Sequence, residues 1–276
     1  MAAVRLSFSK YHGLGNDFVL LDNTQGSVTL SPIQRRSMCD RRYGVGADGL
    51  IILGYSKDHA FDLHYFNSDG EVGSLCGNGS RCGLGFARRK GLIGDIRITF
   101  NAYDGVHYGQ YLPVDDKYCV SMKDRRFDDI EELDRENYFL DTGSPHHVRF
   151  VDSLDKCDVM KEGRQLRYGK YGDVNGANVN FVEIKEGAVC VRTYERGVED
   201  ETEACGTGAT AVALVMALRH IRSQDGCRDQ HLKSSCDITM GRGILTIKYD
   251  ICRDVFTNIM LIGEAVHVFD GVFYLP

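Results

Sequence analysis

The sequence predicts an α+β protein of two similar halves, each a sheet packed around at least one long helix. The first observation is a repeat at about half the chain length, where Cys76-Gly-Asn-Gly-Ser returns as Cys205-Gly-Thr-Gly-Ala, a shift of 129 residues. The second is that Gly46-Ala47-Asp48 aligns with Gly176-Ala177-Asn178 at a shift of 130. The third is that each half contains a similar set of strand-like and helix-like runs.

A looser match extends the repeat towards the N-terminus, where Gly15 to Val19 has an echo in Gly143 to Val148. Matches at almost one shift are hard to obtain by chance. A charged stretch from Lys123 to Arg135 separates the two sets of motifs. We therefore place the halves at 1–128 and 129–276, with the last strands able to cross back to the first half.

Runs of β-branched and aromatic residues predict the strands. In the first half they are Arg5 to Ser9, Phe18 to Asp22, Leu50 to Gly54, Phe61 to Phe66 and Arg97 to Asn101. In the second half they are His147 to Val151, Asn180 to Ile184, Val189 to Tyr194 and Ile244 to Tyr249.

Apolar spacing and end signals predict two helices in each half. The first, Pro32 to Arg42, has Ser31 as its N-cap and a proline in its first turn. The others are Gly79 to Lys90, with Gly91 as a stop, Ser153 to Arg167, and Thr207 to Arg222. Small apolar residues nearly all round the last helix indicate that it is buried on most sides.

Composition argues against several classes of protein. Lys and Arg number 33 against 39 Asp and Glu, a net charge of −6 that gives no field for holding nucleic acid. The longest apolar run, Ala211 to Leu218, is far short of the roughly 20 residues that span a bilayer. The first residues contain no apolar stretch typical of a secretion signal. We expect a cytoplasmic protein without nucleic-acid or membrane partners.

Ten cysteines suggest a disulfide or zinc framework, but no pair has the CxxC spacing of structural zinc sites. A reducing compartment would leave most thiols free. The segment Gly44 to Gly49 matches GxGxxG, yet a helix-like run precedes it and a strand-like run follows, the reverse of a dinucleotide-binding loop. We therefore expect no metal and no nucleotide cofactor.

Cys76 and Cys205 are the candidate reactive groups. Each stands just before Gly-x-Gly and a predicted helix, where unpaired backbone N–H groups and the helix dipole favour a thiolate. The glycines allow a carboxylate to approach the backbone. Two such thiols suit inversion of a stereocentre, in which one removes a proton and the other returns one. A redox disulfide, metal ligation and two structural capping turns remain alternatives.

Several motifs together resemble those of the diaminopimelate epimerase family. They occur in the family's order over most of the chain: His12 to Phe18, Arg42 to Asp48, Cys76 to Arg81, Tyr194 to Gly197, Ala204 to Ala209, and Gly263 to Gly271. The resemblance implies two pseudo-symmetric domains, each a strongly curved sheet wrapped around a central helix, with the site in a cleft between them. It also implies epimerisation of LL-diaminopimelate to the meso form without pyridoxal phosphate, in lysine and peptidoglycan biosynthesis.

The resemblance also implies roles for individual residues. Cys76 and Cys205 correspond to the catalytic acid and base, accompanied by His146 and Glu195. The implied substrate contacts are Asn16, Asn67, Gly77, Asn78, Asn178, Arg196, Gly206 and Thr207. We expect no cofactor, diaminopimelate as the small-molecule partner, and a homodimer.

Two positions depart from the family pattern. Ser144 stands where asparagine often precedes the Pro-His pair, and Gly49 stands where glutamine often follows the Gly-Ala-Asp turn. His147 has no role in the pattern. The rival hypotheses are a two-cysteine racemase for another amino acid, such as proline or histidine, a redox or metal-binding protein, and a relative that kept the fold but lost catalysis. Arg196 and the asparagines favour a substrate with a second charged end.

Overall fold

The chain divides into two compact units. The computed structural model describes residues 4–73, 75–174, 176–223, 232–241 and 243–275. The first unit consists of Met1–Val120 with Gly263–Pro276, and the second of Ser121–Ile262. Among the described helices, none is both long and apolar enough to cross a membrane.

The first unit is a sheet with one helix on each of its faces. Its strands are β1 (Val4–Gly13), β2 (Asn16–Asn23), β3 (Gly49–Gly54), β4 (Asp62–Asn67), β5 (Ile98–Ala102), β6 (Gly105–Leu112), β7 (Lys117–Ser121) and β18 (Val266–Leu275). Strand β18 pairs with β1, and the strands then follow in chain order from β1 to β7. The β2–β3 and β4–β5 pairs are parallel and the others antiparallel.

Helices α1 (Pro32–Cys39) and α2 (Gly77–Arg89) cover opposite faces of this sheet. Successive residues of a strand point to opposite faces. Phe18 and Leu20 of β2 accordingly pack with the buried residues of α2, whereas Val19 and Leu21 pack with Met38 of α1. The run Phe18 to Leu21 is continuously apolar because both faces are buried. Helix α2 contacts β1, β2, β3, β4, β6 and β18, so strands surround it.

The second unit repeats this arrangement. Its strands are β8 (Arg125–Arg126), β9 (Glu131–Glu132), β10 (Asn137–Asp141), β11 (Pro145–Phe150), β12 (Asn178–Lys185), β13 (Ala188–Glu195), β14 (Asp200–Thr202), β15 (Leu232–Met240), β16 (Gly243–Cys252) and β17 (Val255–Gly263). Helix α4 (Gly206–Ser223) contacts β10, β11, β12, β15 and β16. Helix α3 (Val159–Gln165) packs on the other face through Val159, against Val179, Phe181 and Tyr194.

The order of strand pairings is the same in both units. From β10 to β17 it runs antiparallel, parallel, antiparallel, parallel, antiparallel and antiparallel, with the short β14 outside the series. From β1 to β7 the same series occurs. The predicted α+β architecture of two similar halves, each a sheet around a long helix, is confirmed.

Three helices lie where the sequence predicts them, with bounds that differ by at most three residues. Helix α1 has the expected N-cap at Ser31, where a capping box also forms with Gln34, but the helix ends at Cys39 rather than Arg42. The prediction of a continuous helix from Ser153 to Arg167 was wrong. A 3₁₀ turn covers Leu154–Lys156, α3 begins after its N-cap Asp158, and a π-helical segment follows over Leu166–Lys170.

Candidate active site

Cys76 is the N-cap residue of α2. Its backbone is extended, with φ −106° and ψ 112°, and its Sγ accepts a hydrogen bond from the Gly79 N–H at 3.4 Å. The side chain is half-buried. A sulfur in this position lies against unpaired N–H groups of the first helical turn, which stabilise its ionised form.

Amide side chains surround this thiol within the first unit. The Cys76 Sγ lies 3.8 Å from Asn16 Oδ1, which also accepts a hydrogen bond from Asn78 Nδ2 at 3.1 Å. Asn78 is 2% exposed, and the Gly77 carbonyl accepts a hydrogen bond from the buried Arg81. The structure therefore brings together Asn16, Cys76 and Asn78, three of the residues that the sequence singled out.

Asn67 ends β4 and is exposed, and its carbonyl accepts the Gly70 N–H of a turn at 2.9 Å. It is the cross-strand partner of Gly49. A Cβ at position 49 would lie 2.6 Å from the Tyr65 ring and 2.8 Å from the Phe66 carbonyl. Glycine at this position is therefore required by the packing of β4, and no longer side chain fits without rearrangement.

Cys205 directly precedes α4, and the Ala209 N–H donates to its carbonyl at 2.8 Å. The thiol is 6% exposed, and its Sγ lies 3.4 Å from the Thr207 hydroxyl. Thr207 Oγ1 is in turn 2.8 Å from His146 Nε2. These contacts place His146, Thr207 and Cys205 in one buried line.

The hydrogen-bonding directions along this line follow from Asn180. Its Nδ2 donates to the His147 carbonyl at 3.0 Å, so the nitrogen end of the amide also faces His146 Nδ1, at 3.2 Å. Nδ1 must accept, which puts the ring proton on Nε2. Nε2 donates to Thr207 Oγ1, leaving the Thr207 hydrogen free to point at the Cys205 sulfur. A donor aimed at sulfur favours the thiolate.

Complete burial, reinforced by the charge of Arg196, lowers the pKa of His146 to about 3. The ring is therefore neutral near pH 7, consistent with the single ring proton that its partners allow. Its neighbour His147, which had no predicted role, is 1% exposed and contacts the Tyr171 hydroxyl at 2.8 Å and Asn137 Oδ1 at 3.0 Å. Burial lowers the pKa of His147 to about 4. His147 is a hydrogen-bonded residue of the core.

A second polar group of the same unit contains Asn178, Arg196 and Ser144. Asn178 Oδ1 accepts from the Arg196 backbone N–H at 2.9 Å, and Asn178 Nδ2 donates to Ser144 Oγ at 2.9 Å. An Arg196 guanidinium nitrogen lies 3.4 Å from the same Ser144 oxygen. Ser144, which is shorter than the asparagine of the family pattern, therefore contacts two of the predicted substrate-binding residues, Asn178 and Arg196. Glu195 lies next to them and accepts from the Thr202 hydroxyl at 2.8 Å.

The described cysteines all carry free thiols, and Cys227 lies outside the described residues. Within the same ranges no three His, Cys, Asp or Glu side chains are grouped as a metal site requires. The GxGxxG segment follows α1 and leads into β3, in the order expected from the sequence.

Sequence reasoning missed Asn180, which sets the orientation of His146, and Asp48, which accepts from Asn16 Nδ2 at 2.8 Å. The available signal for Asn180 was an amide between the apolar residues Val179 and Phe181 at the start of a predicted strand, a position where polar groups need partners. The sequence marks Asp48 only as a member of the repeated Gly46-Ala47-Asp48 segment and of the Arg42 to Asp48 motif, without a role of its own.

A family model described as diaminopimelate epimerase matches residues 8–122 and 138–268. Proteins named diaminopimelate epimerase are similar over most of the chain. The one from Flavobacterium psychrophilum is 40% identical over 268 residues, covering 95% of this chain and 97% of that protein. The one from Chlorobaculum tepidum is 44% identical over 210 residues, covering 74% and 80%.

Solved structures share the fold at low sequence identity. A phenazine biosynthesis protein of the PhzF family from Bacillus anthracis aligns with a TM-score of 0.72 and 16% identity, over 98% of this chain and 99% of that one. A hydroxyproline epimerase from Agrobacterium vitis, with bound trans-4-hydroxy-L-proline, aligns with a TM-score of 0.67 and 13% identity, over 98% and 93%.

Proposed function

The chain belongs to the diaminopimelate epimerase family, and from that membership we propose that it converts LL-2,6-diaminopimelate to the meso isomer. The observation that carries the proposal is the matched position of two thiols, each at the start of the long buried helix of its unit. The reaction would supply lysine and peptidoglycan biosynthesis in the cytoplasm.

The proposed chemistry is proton transfer at one α-carbon. One cysteine, as thiolate, removes the α-proton, and the other, as thiol, delivers a proton to the opposite face. In the reverse direction the two exchange roles. Both acid and base are side chains, so the reaction needs no pyridoxal phosphate, metal or nucleotide. The substrate α-carboxylate would bind the N–H groups beginning at Gly77-Asn78 and Gly206-Thr207, which stabilise the charge that develops in the transition state.

The remaining site residues would bind the substrate's other groups. Glu195 would face the α-ammonium, which acidifies the α-proton by staying charged. His146 would act on Cys205 through Thr207, to which its Nε2 donates. Arg196 would bind the distant carboxylate, for which its planar guanidinium provides two parallel donors. Asn16, Asn67 and Asn178 would complete recognition without adding net charge. The Ser144 contact with Arg196 supports a binding role at this end. We further propose a homodimer.

The test is incubation of the purified protein with LL-diaminopimelate in heavy water, followed by chiral analysis and mass spectrometry. We expect the meso isomer to form with deuterium at one α-carbon, and activity to survive dialysis against chelator in the presence of reductant. Proline, trans-4-hydroxyproline and histidine are tested in parallel. Turnover of one of these instead of diaminopimelate would contradict the proposal, as would activity that depends on added pyridoxal phosphate or metal.

Cys82→Ala provides a matched control for Cys76→Ala. Cys82 lies on the same helix as the capping thiol, is fully buried, and burial raises its pKa strongly, so it is held as a neutral thiol. We expect Cys82→Ala to retain turnover while Cys76→Ala and Cys205→Ala lose it. Equal loss in all three variants would indicate a packing defect rather than removal of the acid and base.

A further inference from the structure

A line of hydrogen bonds passes the Cys76 thiol and ends on a charged group at each side. A guanidinium nitrogen of Arg81 donates to Asn78 Oδ1 at 2.8 Å, and Asn78 Nδ2 donates to Asn16 Oδ1 at 3.1 Å. Asn16 Nδ2 then donates to Asp48 Oδ2 at 2.8 Å. Two amides thus lie in series between a cation and a carboxylate, all within the first unit.

The charged ends determine the orientation of both amides. A guanidinium has donors only, so the oxygen of Asn78 must face Arg81. An ionised carboxylate has acceptors only, so the nitrogen of Asn16 must face Asp48. The carbonyl oxygen of Asn16 is therefore directed at the Cys76 sulfur, 3.8 Å away.

Both ends of the line are fixed to the rest of the unit. Arg81 is fully buried and also donates to the Glu264 and Gly77 carbonyls. Asp48 Oδ2 accepts the backbone N–H of Asp17 at 3.1 Å, and Asp48 Oδ1 accepts from Arg41 at 2.7 Å. Neither end can turn without breaking other bonds.

We propose that Asp48, assisted by Arg81, is a positioning residue that holds the Asn16 carbonyl towards the Cys76 thiol. An oxygen at this place accepts the S–H hydrogen and favours the protonated thiol, whereas an amide N–H there would favour the thiolate. The line thereby stabilises the form that Cys76 takes when it acts as the acid. This interpretation rests on the proposed function, in which Cys76 donates a proton to the substrate when it acts as the acid.

The test is the alkylation rate of individual cysteines by iodoacetamide at neutral pH, measured by peptide mass spectrometry on the free protein. Asp48→Ala removes the acceptor that holds Asn16, so its N–H₂ can turn to the sulfur. We expect Cys76 to react about three- to tenfold faster, the range of one neutral hydrogen bond gained or lost. Exposed Cys252 serves as the internal standard, and buried Cys82 reports any loosening of the unit.

Two matched variants separate orientation from charge and stability. Asp48→Asn retains an oxygen that accepts from Asn16, so the Cys76 rate should return to that of the wild type. Arg41→Gln removes the cation paired with Asp48 but leaves the acceptor in place, and should also leave the rate unchanged. A faster rate in either of these variants, or faster reaction of Cys82 in Asp48→Ala, would overturn the proposal.

Asn16→Asp gives an expectation of opposite sign that does not depend on whether Asp48→Ala folds. A carboxylate facing the sulfur disfavours the thiolate, so Cys76 should react more slowly than in the wild type. An unchanged or faster rate would overturn the proposal. The alkylation rates are measured without substrate. They therefore test the role of Asp48 independently of the diaminopimelate assay, which tests the proposed function.

Discussion

The two candidate thiols lie at the same point of the repeated fold, yet their polar surroundings differ. Cys76 is half-buried beside amides whose orientation is set by charged residues at the ends of the line. Cys205 is buried beside the neutral pair Thr207 and His146, whose donors run towards the sulfur. The common backbone gives both thiols a helix start, while the side chains differentiate them. Inversion by two thiols needs such a difference between their surroundings, because one thiol must carry a proton while the other does not.

The largest expected effect comes from removing either thiol. Cys76→Ala and Cys205→Ala should each reduce inversion by about 10³-fold or more, since a positioned acid or base contributes 10²- to 10⁴-fold. Each variant keeps one thiol, which can exchange the α-proton on its own face. We therefore expect deuterium wash-in without inversion, in one stereoisomer for each variant. The measurement follows wash-in and chirality separately with LL and meso substrate. Inversion at near the wild-type rate in either variant would contradict the two-thiol mechanism.

Acid should destabilise the surroundings of Cys205 before those of Cys76. His146 and His147 have folded pKa values of about 3 and 4, below the ordinary value of 6.5, so the unfolded chain binds more protons as pH falls below 6.5. Stability is fully present above pH 6.5 and falls progressively towards pH 4, by about 2 kcal/mol for each histidine between pH 6.5 and 5. The measurement is urea unfolding at pH 7.5 and pH 5. His147→Gln should lose about 2 kcal/mol less across this interval, and an identical loss in the variant would refute the assignment.

Asp17, which follows Asn16 in the first unit, titrates at a lower pH than these two histidines. Burial of Asp17 opposes its ionisation, but hydrogen bonds from Arg41 and Lys10 outweigh burial and lower its pKa to about 2. A carboxyl with a lowered pKa stabilises the fold above the ordinary value of 3.8, and that stabilisation is lost as pH falls towards 2. Asp17 therefore contributes nothing to the change between pH 7.5 and 5.

The glycines after the two thiols should differ in tolerance to alanine. A Cβ on Gly208 would lie 2.4 Å from Asn180 Oδ1, an oxygen held by the Thr193 hydroxyl at 3.0 Å. A Cβ on Gly79 would lie 3.2 Å from the terminal methyl of Ile51, which can shift. Gly208→Ala should cost about 2 kcal/mol of unfolding free energy, and Gly79→Ala less than about 1 kcal/mol. Equal losses in urea unfolding would show that Asn180 moves freely.

The smallest expected effect tests the hydroxyl beside Cys205. Thr207→Val keeps the shape of the side chain but removes the donor to sulfur, so kcat should fall about tenfold, which corresponds to about 1.4 kcal/mol. Thr207→Ser retains the hydroxyl and should keep most of kcat. Steady-state kinetics on both variants checks the expectation. A similar fall in Thr207→Ser would place the effect in packing by the methyl group.

The elements most accurately predicted from sequence are those with local end signals. Ser31 and Pro32 mark the start of α1, and Gly91, with φ +73°, ends the turn after α2. The helix predicted from Ser153 failed because Asp158 caps a new helix, its carboxylate accepting the Lys161 N–H at 3.0 Å. Gly163 then lies against Tyr194, where a Cβ would come within 2.4 Å. That close approach depends on tertiary packing and leaves no local signal.

The residues of the candidate site also divide into those with a local sequence signal and those that depend on tertiary structure. Cys76 and Cys205 were identified because each precedes a repeated Gly-x-Gly segment at a helix start, and the family resemblance adds Asn78 and Thr207, the middle residues of those segments. Asn180 and Asp48 were missed because their partners, His146 and Asn16, are 34 and 32 residues away along the chain. Hydrogen bonds over such separations depend on how the strands pair, and the runs of strand-like residues do not specify the pairing.

The pairing of β18 with β1 has a consequence for synthesis on the ribosome. Val4 is opposite Leu275 in this antiparallel pair, whereas all of Ser121–Ile262 is contiguous in the chain. Translation releases residues in order, at roughly 5–20 per second. The second unit therefore has all its strands available while the first still lacks β18. The nascent chain must keep the open edge of β1 from pairing elsewhere for roughly 10 to 50 seconds at this rate, and the unit that begins first is completed last.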